Sequence, residues 1–406
     1  MKKIIALILL AGFALSACST PDATESKPEE NRNTPTISVK KIDNLREDFM
    51  MGVDISSLLS LEAAGRVFYG FDGQPQDIFV TLQQAGVNYI RVRVWNDPFD
   101  ENGNGYGGGN CTVDTAIALG KRAAEQGMGL FVDFHYSDFW ADPGKQQAPK
   151  AWENLSYEDK LTAIYDYTVQ SIRKIRESGV KIGMVQVGNE TTGGLCGETE
   201  KDKIYGLMRA AAQAVRDADR EILVAVHYTN PERGNYLDYV RDMQTYGVEY
   251  DVFATSYYPE YHGTMQNLLR QLSAVYDATG KKVLIAETSW AYDSKTAGAY
   301  ERSVQGQADE IAACIEAMSE FGEMGLGVFY WEPAWIDVPG ANWTEIEEKR
   351  ETYGAGWASS FAGSYDPADA GQYWGGTACI PTALFTPDGH PLESLKTFLY
   401  VREGTP

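Results

Sequence analysis

From residue 50 onward the chain alternates between two hydrophobic patterns. Short apolar runs at 51–56, 89–95, 129–136, 182–190, 222–229, 251–259, 283–290 and 325–332 read as buried parallel strands. Between them, apolar positions recur every three to four residues, the period of an amphipathic helix, over 75–85, 113–126, 157–178, 203–217, 236–246, 265–279 and 302–321. A last helix is expected over 391–401. Several helical stretches run into glycine, at Gly86, Gly127, Gly179, Gly247, Gly280 and Gly322, which suits a left-handed C-cap. Eight such alternations in one run predict an α/β chain closed into a (β/α)8 TIM barrel. A doubly wound sheet of this length would normally carry a nucleotide loop.

The ends of the chain do not share this pattern. Lys2 and Lys3 precede an apolar run, Ile4 to Ala14, too short to span a bilayer. Leu15-Ser16-Ala17-Cys18 follows and resembles a bacterial lipobox, which implies a lipoprotein signal peptide over 1–17 and lipidation of Cys18. Residues 18–46 are rich in Pro, Glu, Ser, Thr and Asn, too polar to offset the entropy of ordering, and read as a flexible tether. The (β/α)8 domain is expected over 47–406. The expected location is therefore outside the cytoplasm, lipid-anchored to a bacterial membrane, at the outer membrane or the cell surface.

Charge narrows the partners. The net charge is −22 and becomes more negative once the leader is removed, which argues against nucleic acid and anionic lipid. The membrane is expected to be met through the lipid anchor only, and the protein to act as a monomer. Tyr (24) and Trp (9) are abundant, and aromatic faces suit the C–H faces of sugars as well as large cores. Besides Cys18 there are Cys111, Cys196, Cys314 and Cys379, with no C-x-x-C. An exported chain permits disulfides, and these four allow three pairings. Cys314, in a helical pattern, reads as a small buried hydrophobe. No H-E-x-x-H and no G-x-S-x-G occur, so no cofactor and no catalytic metal are expected. Gly103-Asn-Gly105-Tyr-Gly-Gly108 spells a dinucleotide motif without its strand–helix setting. Asp100-Glu-Asn102-Gly-Asn104-Gly105 begins like a calcium loop but carries Cys111 at the twelfth position, where a glutamate belongs.

Barrel enzymes collect their chemistry at the C-terminal ends of the strands. Those ends are polar and aromatic here, and two apolar strands stop on glutamates, Glu190 and Glu287. Acetal cleavage with retention needs such a pair, about 5 Å apart, one as acid/base and one as nucleophile. Asn189 is placed to bond a sugar 2-hydroxyl. Arg91 and Arg93 share a strand face. Arg93, nearer the strand end, is the expected partner of the nucleophile, and Arg91 a structural pair lower in the barrel. Tyr257 is expected to orient Glu287.

Several stretches together resemble glycoside hydrolase family 53, the endo-β-1,4-galactanases. They are Gly52-Val-Asp-Ile-Ser56, Tyr89 to Pro98, Gly105 to Asn110, Asp133-Phe-His-Tyr-Ser-Asp-Phe-Trp-Ala-Asp-Pro-Gly-Lys-Gln146, Gln186-Val-Gly-Asn-Glu190, Ser256-Tyr-Tyr-Pro259, Glu287-Thr288 and Tyr330-Trp-Glu-Pro333. The resemblance implies that Glu190 is the acid/base and Glu287 the nucleophile of a galactan-cleaving enzyme. It also implies that Asp54, Arg93, His135, Asn189, His227, Tyr257 and Trp331 line the cleavage subsite or its neighbours, with Trp95, Asp138 and Trp140 as glycan contacts. The chain departs from the family after the seventh strand, where 290–298 carries one acid in place of a calcium loop. It departs again at 377–385, which lacks the expected Trp and Asn–Gln. Two other readings compete: a retaining endo-glycanase of the same clan acting on mannan or xylan, and a non-catalytic surface lipoprotein that binds glycan.

Overall fold

The structure, a computed structural model, describes residues 36–295, 298–376 and 381–406. The signal segment 1–17, Cys18, most of the tether and Cys379 lie outside the described residues. Eight strands, β1 (Met50–Asp54), β2 (Tyr89–Val94), β3 (Gly129–Phe134), β4 (Ile182–Val187), β5 (Leu223–Tyr228), β6 (Val252–Ser256), β7 (Lys282–Thr288) and β8 (Gly325–Tyr330), pair in sequence order into a closed barrel. Every pairing is parallel, and β1 meets β8. The helices α1 (Leu58–Ala63) and α2 (Ile78–Gln84) join β1 to β2. Then α3 (Val113–Glu125), α4 (Tyr157–Glu177), α5 (Lys201–Ala218), α6 (Tyr236–Tyr246), α7 (Met265–Thr279) and α8 (Val304–Ser319) each join the next pair. After β8 come α9 (Trp343–Tyr353), the short α10 (Ala370–Tyr373) and α11 (Thr397–Glu403). This is the expected (β/α)8 barrel. Pattern alone did not reveal α1, α9 and α10. The last helix starts later than expected because 393–396 is a 3-10 turn.

Local sequence sets the helix boundaries. Asp77, Thr112, Ser156, Thr264 and Ser303 each accept a backbone N–H in the first turn of the helix that follows. At the other ends, Gly247 and Gly280 take left-handed caps (φ +71° and +64°), as their placement predicted.

Alternation along each strand sorts two cores. Ile90, Val92 and Val94 face the helices, whereas Tyr89, Arg91 and Arg93 face the barrel axis. Phe131, Met184, Ala225, Val252, Ala254, Leu284, Ala286 and Phe329 fill the lower interior, so the barrel is plugged below and open only at its C-terminal mouth. One strand breaks the alternation. Thr255 pairs with Ile285, but Ser256 pairs with Glu287, leaving Ala286 as an extra residue. This bulge turns Glu287 inward beside Ala286 and sends Thr288 outward against α8, where its hydroxyl donates to Glu310.

The tether expectation needs correcting at its C-terminal end. Ile37 and Val39 are buried (4% and 6% exposed), with Thr36, Ser38 and Lys40 around them exposed. Thr405 N donates to Val39 O (3.1 Å) and Ile42 N to Val401 O (2.8 Å). The folded domain therefore includes residues from about 36. The alternating Ile-Ser-Val-Lys reading is that of a half-buried extended segment, which the surrounding polar composition masked. The described Cys111, Cys196 and Cys314 are all buried and unpaired.

Candidate active site

The mouth of the barrel is built around Arg91. A buried guanidinium survives only with partners for its charge. Arg91 Nη1 reaches Glu287 Oε1 (2.8 Å) and Asp54 Oδ2 (3.1 Å). Its Nη2 reaches Asp133 Oδ2 (2.9 Å), Asn189 Oδ1 (3.0 Å) and Gln186 Oε1 (3.1 Å). Burial works against its charge, but Asp133, Glu287 and Asp54 outweigh burial and hold it cationic. Arg93, one inward position higher, serves the other side. It pairs with Glu332, donates to Gly108 O and lies 4.5 Å beneath the Trp140 ring.

The two glutamates share one cavity and have unequal partners. Glu287 has the Arg91 cation on one oxygen and the Tyr258 hydroxyl on the other (2.9 Å). Glu190 follows β4 at φ +44°, a conformation that costs a non-glycine residue on the order of 1–3 kcal/mol and clusters at functional sites. Its Oε1 lies 2.6 Å from Ser256 Oγ, and among the described residues no cation pairs with it. Burial, then the charge of Glu287, pushes the Glu190 carboxyl up to about 8. Burial also raises Glu287, against the pull of Arg91. Of the pair, Glu190 is therefore the one that keeps a proton at neutral pH, and Glu287 the one held as an anion. A neutral carboxylic acid beside an ionised carboxylate is the division of labour that acetal cleavage requires.

Aromatic walls rise above this floor. Trp140 stacks on Trp335 (5.9 Å, 21°), and Trp331 and Trp357 also line the cavity. Lys145, at the rim, bonds Asp366 (2.6 Å) and Asp369 (2.8 Å) and so ties the third βα loop to the segment between α9 and α10.

Of the residues singled out in the sequence, Asp54, Arg93, His135, Trp140, Asn189, Glu190, Glu287 and Trp331 line the cavity. Four others stand behind it. Trp95 is fully buried and donates to His135 Nδ1 (3.0 Å). Asp138 accepts from Asp97 N and Lys150 N, pinning two loops together. His227 is buried against Asn189 and Ser256. Tyr257 points away, its hydroxyl donating to Gly263 O.

Two expectations are thereby corrected. Tyr258, not Tyr257, bonds the Glu287 carboxyl, because Val252, Ala254, Ser256 and then residue 258 share the inward parity. Arg91, not Arg93, holds Glu287. Its long side chain climbs the axis to Glu287, while Arg93 is taken up by Glu332. Asp133, Asp142, Lys145, Trp357 and Asp369 also line the cavity and were not singled out. Asp133 has inward parity with Phe131 and was findable. Trp357 and Asp369 sit in an irregular segment without periodicity. At the loop that begins like a calcium loop, Asp100 Oδ1 accepts from Asn102 N and Asn104 N, so the loop closes on itself.

The model for glycosyl hydrolase family 53 matches residues 50–398. An endo-β-1,4-galactanase of Bacillus subtilis (strain 168) is 49% identical over 425 aligned positions, covering 100% of this chain and 99% of the relative. An arabinogalactan endo-β-1,4-galactanase of Humicola insolens is 30% identical, covering 86% of this chain and 98% of the relative. The solved GH53 catalytic domain of Ignisphaera aggregans superposes with a TM-score of 0.79 at 34% identity, over 90% of this chain and 99% of that one. The barrel, its paired glutamates and these likenesses agree, and the chain belongs to glycosyl hydrolase family 53.

Proposed function

We infer that the protein is a retaining endo-β-1,4-galactanase that cleaves β-1,4-galactosidic bonds in galactan and type I arabinogalactan, the side chains of pectin. The observation that carries the mechanism is the unequal pairing of two glutamates in one cavity, one beside a cation and one beside a hydroxyl. Glu190 protonates the leaving glycosidic oxygen while Glu287 attacks the anomeric carbon. Glu190, now an anion, takes a proton from the water that releases the galactosyl-enzyme. Arg91 and Tyr258 keep Glu287 ionised between turnovers. Asn189 uses one amide hydrogen on Ala141 O (2.8 Å), which leaves its other for a sugar hydroxyl. Trp140, Trp331 and Trp357 offer faces for stacking. Export and membrane attachment through a lipidated Cys18 are part of the same reading, supported by the Leu15-Ser-Ala-Cys18 sequence after its apolar run.

Proton NMR of products from galactan tests this directly. The first anomer formed should be β. Glu190→Gln should lower kcat on galactan by about 10²–10⁴-fold, and Glu287→Ala should abolish turnover. In the unaltered enzyme, activity needs Glu190 protonated, so it should fall as pH rises through about 8. Release of the α-anomer first, or full activity in either variant, would overturn the assignment. Cleavage of mannan or xylan in preference to galactan would move the substrate and leave the mechanism standing.

A further inference from the structure

Three buried histidines surround the cleft, and each receives an N–H on Nδ1. His135 Nδ1 accepts from Trp95 Nε1 (3.0 Å) and Ala141 N (3.3 Å), and His262 Nδ1 accepts from Tyr258 N (3.0 Å). His227 Nδ1 accepts from the backbone N–H of Glu190 (3.3 Å). Asn189 Oδ1 also lies 3.0 Å from this nitrogen. That oxygen also lies 3.0 Å from Arg91 Nη2 and 3.2 Å from Gln186 Nε2, two groups that can donate to it without the imidazole. A backbone N–H has no other setting. Nδ1 of His227 is therefore the acceptor, and the ring proton sits on Nε2. Burial, then Arg91, keeps the ring neutral.

The consequence runs back to the cleft. His227 Nε2–H donates to Ser256 Oγ (3.0 Å), which leaves the serine hydrogen for Glu190 Oε1 at 2.6 Å. The chain of bonds starts at the Glu190 backbone and ends at the Glu190 side chain. We propose that Ser256, oriented by His227, is a positioning residue that commits Glu190 Oε1 to accepting a hydrogen bond and leaves Oε2 to carry the proton exchanged with substrate. The inference rests on Glu190 being the acid/base. In the first step the Oε2–H bond breaks and an O–H bond forms on the leaving oxygen, which keeps the electron pair of the broken glycosidic bond. In the second, a water hydrogen passes to Oε2 as the water oxygen bonds the anomeric carbon and the bond to Glu287 breaks. Throughout, Oε1 stays on Ser256.

This arrangement favours the anionic form of Glu190. It opposes the burial and the charges of Glu287 and Asp142 that favour the acid, and Arg91 adds to it. The phenols of Tyr258 and Tyr236 act on the same carboxyl from the loop after β6 and from α6, and Asp133 and His135 act on His227. Ser256→Ala should therefore move the alkaline limb of kcat upward by about one pH unit. It should also slow the step in which Glu190 acts as acid, because the anion formed there loses a hydrogen bond. On galactan, whose leaving oxygen needs the proton, kcat should fall by about tenfold. On an aryl β-1,4-galactobioside with a good leaving group, the fall should be smaller. An alkaline limb that stays or moves down would overturn the proposal.

The unaltered enzyme provides a second test, independent of how the variant folds. With 15N-labelled histidine and only four histidines in the chain, His227 should report as the Nε2–H tautomer; an Nδ1–H signal would overturn the relay. Glu190→Gln separates this from the parent reading. If that variant keeps its activity on galactan, the acid/base assignment fails. If it loses activity and the Ser256→Ala limb does not rise, only the relay fails.

Discussion

Tyr257 and Tyr258 are neighbours in sequence and lie on opposite faces of the barrel wall. Tyr258 donates to Glu287 Oε2, and Tyr257 to the carbonyl of Gly263. A hydrogen bond to a charged group is worth about 1.5–3 kcal/mol, and each 1.4 kcal/mol is a factor of ten in rate. Tyr258→Phe should lower kcat on galactan by about tenfold or more. Tyr257→Phe should leave kcat within about twofold, because the bond it removes lies outside the cleft. Equal losses in the two variants would remove Tyr258 from the machinery. The sequence already held this distinction, since counting by twos from Val252 reaches residue 258. The two arginines were harder to read. Their shared parity places both in the mouth, but which one meets the nucleophile depends on how far each side chain climbs and which carboxylate intercepts it first. Glu332 intercepts Arg93, and that contact joins residues 239 apart in the chain.

Strands and glycine C-caps were legible because they are local. Each strand is an apolar run, and the chain places Gly247 and Gly280 where α6 and α7 end. The bulge at Ala286 was not legible, because it exists only in the pairing of β6 with β7. Without it, Glu287 would follow the parity of Val283 and Ile285 and face the helices. The bulge also creates an unusual neighbour for β7. Glu310 of α8 is fully buried, accepts from Thr288 Oγ1 and from Cys314 Sγ (3.2 Å), and has no partner on Oε2 among the described residues. Burial pushes its carboxyl up to about 7. A carboxyl raised on folding favours the native state below its unfolded value of about 4.5. That contribution is lost as pH rises toward about 7, where the buried group must ionise. Glu310→Gln keeps the acceptor for Thr288 without the titration. It should unfold at a higher temperature than the unaltered protein at pH 8 and at a similar temperature at pH 4.5. A gain at pH 4.5 as large as the gain at pH 8 would show that packing, not charge, is responsible.

At the scale of the whole molecule, the barrel is completed by segments that its eight repeats do not predict. The region after β8 contributes Trp357 and Asp369 to the cleft and is clamped there by Lys145. The segment before β1 closes the opposite side of the sequence. Ile37 and Val39 pack into the main core, Val39 exchanges hydrogen bonds with Thr405, and Ser38 bonds Gln305 of α8 through both backbone groups. The first residues of the fold are thus held by the last ones, so the boundary between tether and domain carries a measurable free energy. Burying an aliphatic side chain of this size is worth about 1.5–3 kcal/mol. A chain beginning at residue 47 should therefore lose on the order of 3 kcal/mol relative to one beginning at residue 36. In a domain this large, that corresponds to a drop in Tm of several degrees. A chain beginning at residue 36 should match the full-length protein. Because the cleft takes nothing from residues 36–46, both shortened chains should cleave galactan with the same kcat at a temperature where both are folded. Thermal unfolding of the three chains decides the matter. Equal Tm values at starts 36 and 47 would return Ile37 and Val39 to the tether, whereas a drop confined to the second places the start of the domain where the apolar alternation begins.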